Sequence, residues 1–298
     1  MVEWGLALKA GPPKGNNAAW LDEIDTTLAG LAPYIKSLWM TDHFFWEDRP
    51  THEAWTVMAF LAAKYPTLKI GPMVLGQSYR NPALLAKAAA TLQVLSGGRF
   101  IMGIGAGWKD DEYLAYGYEY PRAGIRIEQL EDTLEIMKRM WTEPGKVTYH
   151  GKHYHIVDAW CEPKPDPVPT IIVGGGGDKT IRAAARYADW WNLSDAPYDR
   201  YAERVQTVRR TCEEIGRDPA TMRVTWFGRI SVGRTDAEAD TRGGKWNRGN
   251  AFVGTPSQLV ESFGKYIALG CDYFMVDVLD AGNPDVIGMV RDEVFGKL

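Results

Sequence analysis

Short runs of β-branched and aromatic residues recur along the chain, separated by stretches in which apolar residues return every three or four positions. The runs are Glu3 to Leu8, Ser37 to Thr41, Lys69 to Leu75, Phe100 to Ile104, Thr170 to Val173, Asp189 to Leu193, Met222 to Val232 and Tyr273 to Val278. They predict about eight strands. The clearest helix between them is punctuated at both ends. Asn81 caps it, Pro82 takes the first helical position, Leu85, Ala88, Ala89 and Leu92 form one stripe, and Ser96-Gly97-Gly98 stops it. A second is predicted from about Ala123 to Trp141. There Leu130, Leu134, Met137 and Trp141 face the core, and Glu128, Glu131, Asp132 and Lys138 make the opposite, polar face.

Strands alternating with helices over the whole length predict an α/β fold, a parallel sheet closed into a (β/α)8 TIM barrel. In such a barrel the functional residues gather at the C-terminal ends of the strands. Residues 1–298 are read as one barrel domain with two insertions, at about 143–169 and 236–251, expected to serve as lids or binding loops, with a disordered excursion the alternative for the second.

Composition narrows the function. With Lys+Arg 34 against Asp+Glu 38, the net charge of −4 gives no basic surplus for a nucleic acid or an anionic membrane. Cys161, Cys212 and Cys271 are isolated thiols, which fits a reducing compartment. Glu3 stands where a signal peptide carries bases and Lys9 interrupts the first apolar run, so a soluble cytoplasmic protein is expected.

Four motifs fall at predicted strand ends. Trp39-Met40-Thr41-Asp42-His43-Phe44 offers an imidazole able to donate to or accept from a polar heterocycle, with Asp42 placed to orient it or to bind a ring N–H. Gly71-Pro72-Met73-Val74-Leu75 supplies apolar residues able to wall a planar ring. Gly103-Ile104-Gly105-Ala106-Gly107-Trp108 is not a dinucleotide fingerprint: its spacing is GxGxG and its strand is the fourth. Its glycines still admit a ligand close to the backbone, and Trp108 can stack on one. Gly174-Gly175-Gly176-Gly177 opens into a helix beginning near Asp178, which makes an anion site suited to phosphate, although GK[ST] is absent and Lys179 follows the acid. No GxSxG or HExxH occurs. His150, His153 and His155 have no acid or thiol at ligand spacing, and no metal is assigned.

These motifs, with Asn81-Pro82-Ala83 through Leu95-Ser96-Gly97-Gly98-Arg99, Ala184-Ala185-Arg186-Tyr187-Ala188-Asp189 and Val253-Gly254-Thr255-Pro256, resemble the bacterial luciferase-like flavin and deazaflavin oxidoreductases over nearly the whole chain. The resemblance implies a barrel with extra segments, a homodimer, and a cofactor at the C-terminal face. That cofactor is coenzyme F420, used for hydride transfer with a small organic substrate, or alternatively reduced FMN used with oxygen in a monooxygenase. The Asp-His-Phe strand end with the Gly-Ala-Gly-Trp turn looks like the F420 branch. On that reading His43, Asp42 and Trp108 are catalytic. Asp42, Met73, Val74, Ala106, Gly107, Trp108, Gly174, Gly175, Gly176, Gly177, Asp178, Lys179 and Asn192 bind the cofactor, with a cis peptide expected at Met73-Val74. Lys109 stands where many relatives have Asn, and Trp108 where some sugar-phosphate-oxidising relatives have Glu. Trp46, Trp108 and Trp226 are expected to line a dry pocket, and Lys179, Arg182 and Arg49 to serve the exit of an acidic cofactor tail. A non-catalytic flavin-binding barrel and a metal-using hydrolase are the competing readings.

Overall fold

The computed structural model describes residues 2–12, 16–47, 49–246, 248 and 250–298. Its strands are β1 (Glu3–Ala7), β2 (Ile35–Met40), β3 (Lys69–Pro72), β4 (Leu75–Gly76), β5 (Ile101–Gly105), β6 (Lys146–His150), β7 (His155–Trp160) and β8 (Thr170–Gly174). β9 (Trp190–Ser194), β10 (Arg223–Val232), β11 (Phe252–Gly254) and β12 (Cys271–Val278) complete the set. The helices are α1 (Asn17–Leu31), α2 (Ala54–Lys64), α3 (Pro82–Leu95), α4 (Asp110–Ala115), α5 (Ala123–Thr142), α6 (Asp178–Tyr187), α7 (Tyr198–Glu214), α8 (Asp236–Gly243), α9 (Pro256–Ala268) and α10 (Pro284–Gly288).

The main sheet runs β3-β2-β1-β12-β10-β9-β8-β5-β4. β3 and β4 are two halves of one stave, broken at Met73-Val74: the first pairs with β2 and the second with β5, both in parallel. An Ile70–Phe100 bridge adds to the closure. The result is the expected (β/α)8 barrel, and each of the eight sequence runs lies on one of its staves. The Met73-Val74 peptide is cis, as the resemblance implied.

Alternation along the staves sends one set of side chains inward. Ala7, Trp39, Met73, Ile101, Ile172, Phe227, Tyr273 and Met275 form the inner cluster, while a larger apolar layer fills the space between strands and helices. The interior is short of room. The Trp39 indole N–H donates to Ser37 Oγ at 2.6 Å, and Ser37 Oγ bonds the Tyr273 hydroxyl at 2.5 Å. Side chains of that size fit because Gly5 and Gly71 offer none against Trp39, and Gly103 none against the Pro72 carbonyl.

Two expectations are corrected. Trp226 does not face the barrel interior; it packs outward against Phe252, with its indole N–H donating to the Ala196 carbonyl, and Phe227 points inward instead. A one-residue error on a strand exchanges its faces. Asp132 is not solvated, because the insertion at 143–169 forms an antiparallel β6–β7 hairpin that covers that part of α5. The Asp132 carboxylate accepts from the amides of His153 and Tyr154 and from the Tyr149 hydroxyl. His153 itself bonds Glu128 at 2.8 Å. The second insertion, 236–251, holds α8 and leads into β11; its residues 247 and 249 lie outside the described residues. All three cysteines are buried free thiols, and no helix among the described residues is long and apolar enough to cross a membrane.

Gly103→Ala would drive a methyl group into the Pro72 carbonyl, a rigid backbone neighbour. Chemical denaturation should show a loss of about 3 kcal/mol or more. Gly264→Ala in α9 meets nothing within 4 Å, so the same measurement should show no loss there and a gain of up to about 1 kcal/mol.

Candidate active site

The loop after β2 carries Asp42 and His43, and it is held by a residue that the sequence did not single out. Glu112, in α4, is fully buried. Its Oε2 lies 3.0 Å from His43 Nδ1 and 3.3 Å from the Tyr79 hydroxyl. Its Oε1 accepts from the amides of Phe44 at 2.7 Å and Phe45 at 3.2 Å. Burial pushes this carboxyl up, but His43 and the two amides outweigh it and hold the group below the usual carboxylate range. An ionised Glu112 is an acceptor only, so Nδ1 of His43 donates and the Nε2 lone pair is left to accept a proton.

Asp42 does not orient His43, one of the two roles expected of it. It does not touch the imidazole. Arg80 bonds its two oxygens at 2.8 and 3.0 Å, and the Gly76 amide donates to Oδ2 at 3.0 Å, which fastens β4 to the end of β2. Arg80 also reaches Glu53. The carboxylate partner of His43 is therefore Glu112.

Two indole rings flank the imidazole. His43 lies edge-on to Trp46 at 4.9 Å and to Trp108 at 5.9 Å, and the two indoles are 6.0 Å apart. Trp108 is 63% exposed, which leaves its face available to a bound molecule. Gly107, at φ 75°, is confined to glycine by both its backbone and the Tyr113 hydroxyl beneath it. Lys109 is spoken for: its ammonium lies 2.5 Å from Asp111 and 4.2 Å from the Phe45 ring centroid.

Val74 joins this half of the site to the glycine loop. A methyl group on Gly105 would lie 2.8 Å from Val74 Cγ2, and one on Gly174 would lie 3.1 Å from Cγ1, so the broken stave leans into space that both neighbouring strand ends leave empty. Ala106, Gly107 and Trp108 continue from one of those ends, and Gly175, Gly176 and Gly177 from the other. Gly175 has φ 134° and donates to the Asn192 carbonyl. Gly177 caps α6 with no side-chain acceptor, so the first-turn amides beginning at Asp178 face outward unpaired within the helix. Lys179 makes no hydrogen bond or ion pair among the described residues, and its ammonium lies 3.8 Å from where a Gly124 methyl would be. Arg200, unremarked in the sequence, comes within 3.9 Å of the corresponding point at Gly176. Arg182 is engaged with Glu214 and Arg49 with Glu47. The Asn192 side chain is buried between Thr225 and Ser194, beneath the loop rather than along its open side.

On the far side of the barrel mouth, Arg229 of β10 bonds both oxygens of Asp195 at 2.9 and 2.8 Å and lies 3.7 Å from Asp277 of β12. The Trp246 ring covers its guanidinium at 3.7 Å. Lys245, next to Trp246, lies 3.9 Å from Glu47, beside Trp46. The second insertion thus reaches across to the His43 loop.

A family model described as luciferase-like monooxygenase matches residues 35–249. The chain belongs to this family. Among curated relatives, an F420-dependent glucose-6-phosphate dehydrogenase from Amycolatopsis mediterranei is 35% identical over 198 residues, 61% of this chain and 59% of that protein. A phthiodiolone/phenolphthiodiolone dimycocerosates ketoreductase from Mycobacterium kansasii is 29% identical over 248 residues, 81% of this chain and 64% of that protein. The matched region thus spans about three fifths of these relatives' length. An F420-dependent secondary alcohol dehydrogenase, solved with an F420-acetone adduct, superposes with TM-score 0.86 at 17% identity, covering 100% of this chain and 99% of that one. A monooxygenase from Streptomyces bottropensis gives TM-score 0.81 at 18% identity, covering 99% of each chain. At such identities the shared property is the barrel.

Glu112→Gln keeps the shape and removes the charge. The folded-state pKa of Glu112 is depressed, so its contribution to stability is present above the unfolded carboxyl value of about 4.3 and is lost as pH falls through the folded value. Denaturation at neutral pH should show the variant about 1–3 kcal/mol less stable, with the gap to wild type narrowing toward acid.

Proposed function

We propose that this barrel is an F420-dependent oxidoreductase that moves hydride between the deazaflavin and a small organic substrate. The observation that carries the reading is three features at the C-terminal ends of the staves: a His43 whose Nε2 has no partner among the described residues, a Val74 wall that fills glycine-made space, and an uncapped glycine loop at the start of α6. A planar ring fits against Val74, and a phosphate fits the amides of Gly176, Gly177 and Asp178. Lys179 and Arg200 supply free positive charge beside that loop for an acidic tail.

When bound, F420 supplies a two-electron hydride acceptor or donor. The protein's part is to hold the substrate's reacting carbon over the ring and to manage the proton. In the oxidative direction, Nε2 of His43 takes the hydroxyl proton as hydride leaves carbon, and the buried Glu112 carboxylate stabilises the imidazolium so formed. In the reductive direction the same nitrogen returns it. Trp46 and Trp108 keep water from the reacting atoms, and Asp42 acts by fixing β4 through Arg80 and Gly76.

A luciferase-like monooxygenase using reduced FMN and oxygen is the second reading, supported by the family description and by the monooxygenase of like fold. We further propose that residues 1–298 act as one domain and pair as a homodimer. Apolar side chains left exposed on α2 and α3, Phe60, Leu84 and Leu95, support the pairing. The three buried, unpaired thiols support residence in the cytoplasm.

Fluorescence titration with F420 and with FMN in parallel should give tight F420 binding and weak FMN binding. The reverse would favour the monooxygenase, and binding of neither would end the phosphate reading of the glycine loop. His43→Ala should retain F420 binding and lose about 10²–10⁴-fold in turnover. Unchanged turnover in every assay would leave a barrel that binds the cofactor without using this histidine.

A further inference from the structure

We infer that the substrate of this barrel is an uncharged alcohol or ketone with an apolar flank, and that the Asp195–Arg229–Asp277 cluster under Trp246 excludes anionic substrates such as sugar phosphates. The inference rests on the hydride-transfer reading and names the substrate class for that same site. Its basis is the distribution of committed and uncommitted charge around the barrel mouth.

An anion needs a cation that is free to meet it. Arg229 has the position for such a role. Its Cα pairs with that of Asp277, and on β10 it shares the parity of the inward-facing Phe227, one layer nearer the C-terminal end. Its charge, however, is taken twice over. Asp195 accepts two bonds from Nη1 and Asp277 faces Nε, so one cation meets two carboxylates and the cluster carries an excess negative charge. Trp246 lies over one face of the guanidinium. A phosphate arriving here meets a guanidinium already faced by two carboxylates, and like charges brought together oppose binding.

The other cations of the mouth are committed in the same way. Arg80 is divided between Asp42 and Glu53, Lys109 is paired with Asp111, and Lys245 faces Glu47. Lys179 and Arg200, which make no ion pair among the described residues, both stand at the glycine loop, where the cofactor phosphate belongs on the proposed reading. What remains beside His43 is aromatic, namely Trp46 and Trp108. Such a surface desolvates an apolar flank and leaves one hydroxyl or carbonyl for the imidazole.

The test has one arm that needs no cofactor. Titration calorimetry of the cofactor-free protein with glucose 6-phosphate should give only binding that inorganic phosphate displaces from the glycine loop. Asp195→Asn, which keeps the shape and removes one acid, should show a second site for glucose 6-phosphate, undetected in the wild type, that phosphate at the loop does not block. Asp277→Asn is a second variant with the same expected direction, and an unchanged far-ultraviolet circular dichroism spectrum checks that both fold. In the other arm, loss of deazaflavin absorbance should report turnover of propan-2-ol or cyclohexanol by the F420-loaded wild type. Its kcat/KM for glucose 6-phosphate should be lower by about 10-fold or more.

If wild type binds glucose 6-phosphate at a second site and both substitutions weaken it, the acids aim Arg229 at the phosphate and the inference fails. If F420 is reduced faster by glucose 6-phosphate than by either alcohol, the inference fails while the hydride reading stands. If F420 does not bind at all, the hydride reading fails, and the calorimetric arm still decides whether the cluster repels an anion.

Discussion

A carboxylate withdrawn from water has to be met by donors, and Glu112 is met from two separate segments at once. The amides of Phe44 and Phe45 and the imidazole of His43 come from the loop after β2, the hydroxyl of Tyr79 from the turn after β4, and the carboxylate itself from α4. Any one of these bonds is modest in net energy, but a charge left buried without them costs far more than each contributes. The loop that carries His43 is consequently not free to drift, because drifting strands Glu112. Burial and the neighbouring Glu112 charge push the Tyr79 hydroxyl up, so it remains protonated and keeps donating. The same bonds choose the tautomer of His43, so one buried charge sets the position of the imidazole and which of its nitrogens can exchange a proton.

The rest of the candidate site depends on what is missing from the strand ends. The broken stave between β3 and β4 intrudes on its neighbours, and it is accommodated because Gly103, Gly105 and Gly174 carry no side chain where Pro72 and Val74 need space. A barrel interior is normally filled by large residues from alternating strands, and here Trp39 and Tyr273 fill it below. The glycines that look like a nucleotide fingerprint in the sequence are therefore explained first by packing and only then by ligand approach. Gly107 and Gly175 differ from them, since positive φ values restrict both positions to glycine whatever the space.

This division explains what could be read from the chain alone. The eight staves were legible because barrel strands are apolar on both faces, and α3 because Asn81, Pro82 and Gly97-Gly98 mark its ends. Glu112 was hidden by its neighbours: Lys109-Asp110-Asp111-Glu112 reads as the solvated start of a helix, and only the buried Tyr113 beside it hints at an inward face. Asp132 was misread for the opposite reason, since the hairpin that covers it arrives from sequence further on. Trp226 shows the limit of placing a residue on a strand without fixing the register, because every second residue faces the other way. Arg229 and Asp277 did leave a signal. Each is a charge following a mostly apolar stretch of its strand, near the C-terminal end, where a barrel puts its chemistry.

The two halves of the mouth are electrostatically unlike, and the difference follows from how each was built. On the glycine-loop side the backbone supplies the donors, so side-chain cations are not needed to hold the structure, and Lys179 and Arg200 make no ion pair among the described residues. On the opposite side the staves β10 and β12 bring an arginine and an aspartate to the same level, and a buried charge in either strand must be paired where it stands. Burial pushes Asp195 and Asp277 up, opposed by Arg229, which is the signature of charges retained at some cost rather than of a surface pair formed at leisure. Replacing such a cluster by apolar residues is often neutral for folding, so stability alone is a weak reason for its presence at the rim of a cavity. A fixed arrangement of charge that repels one class of molecule while leaving aromatic walls for another gives it a reason, since specificity is a difference between affinities and is often built by penalising the wrong partner.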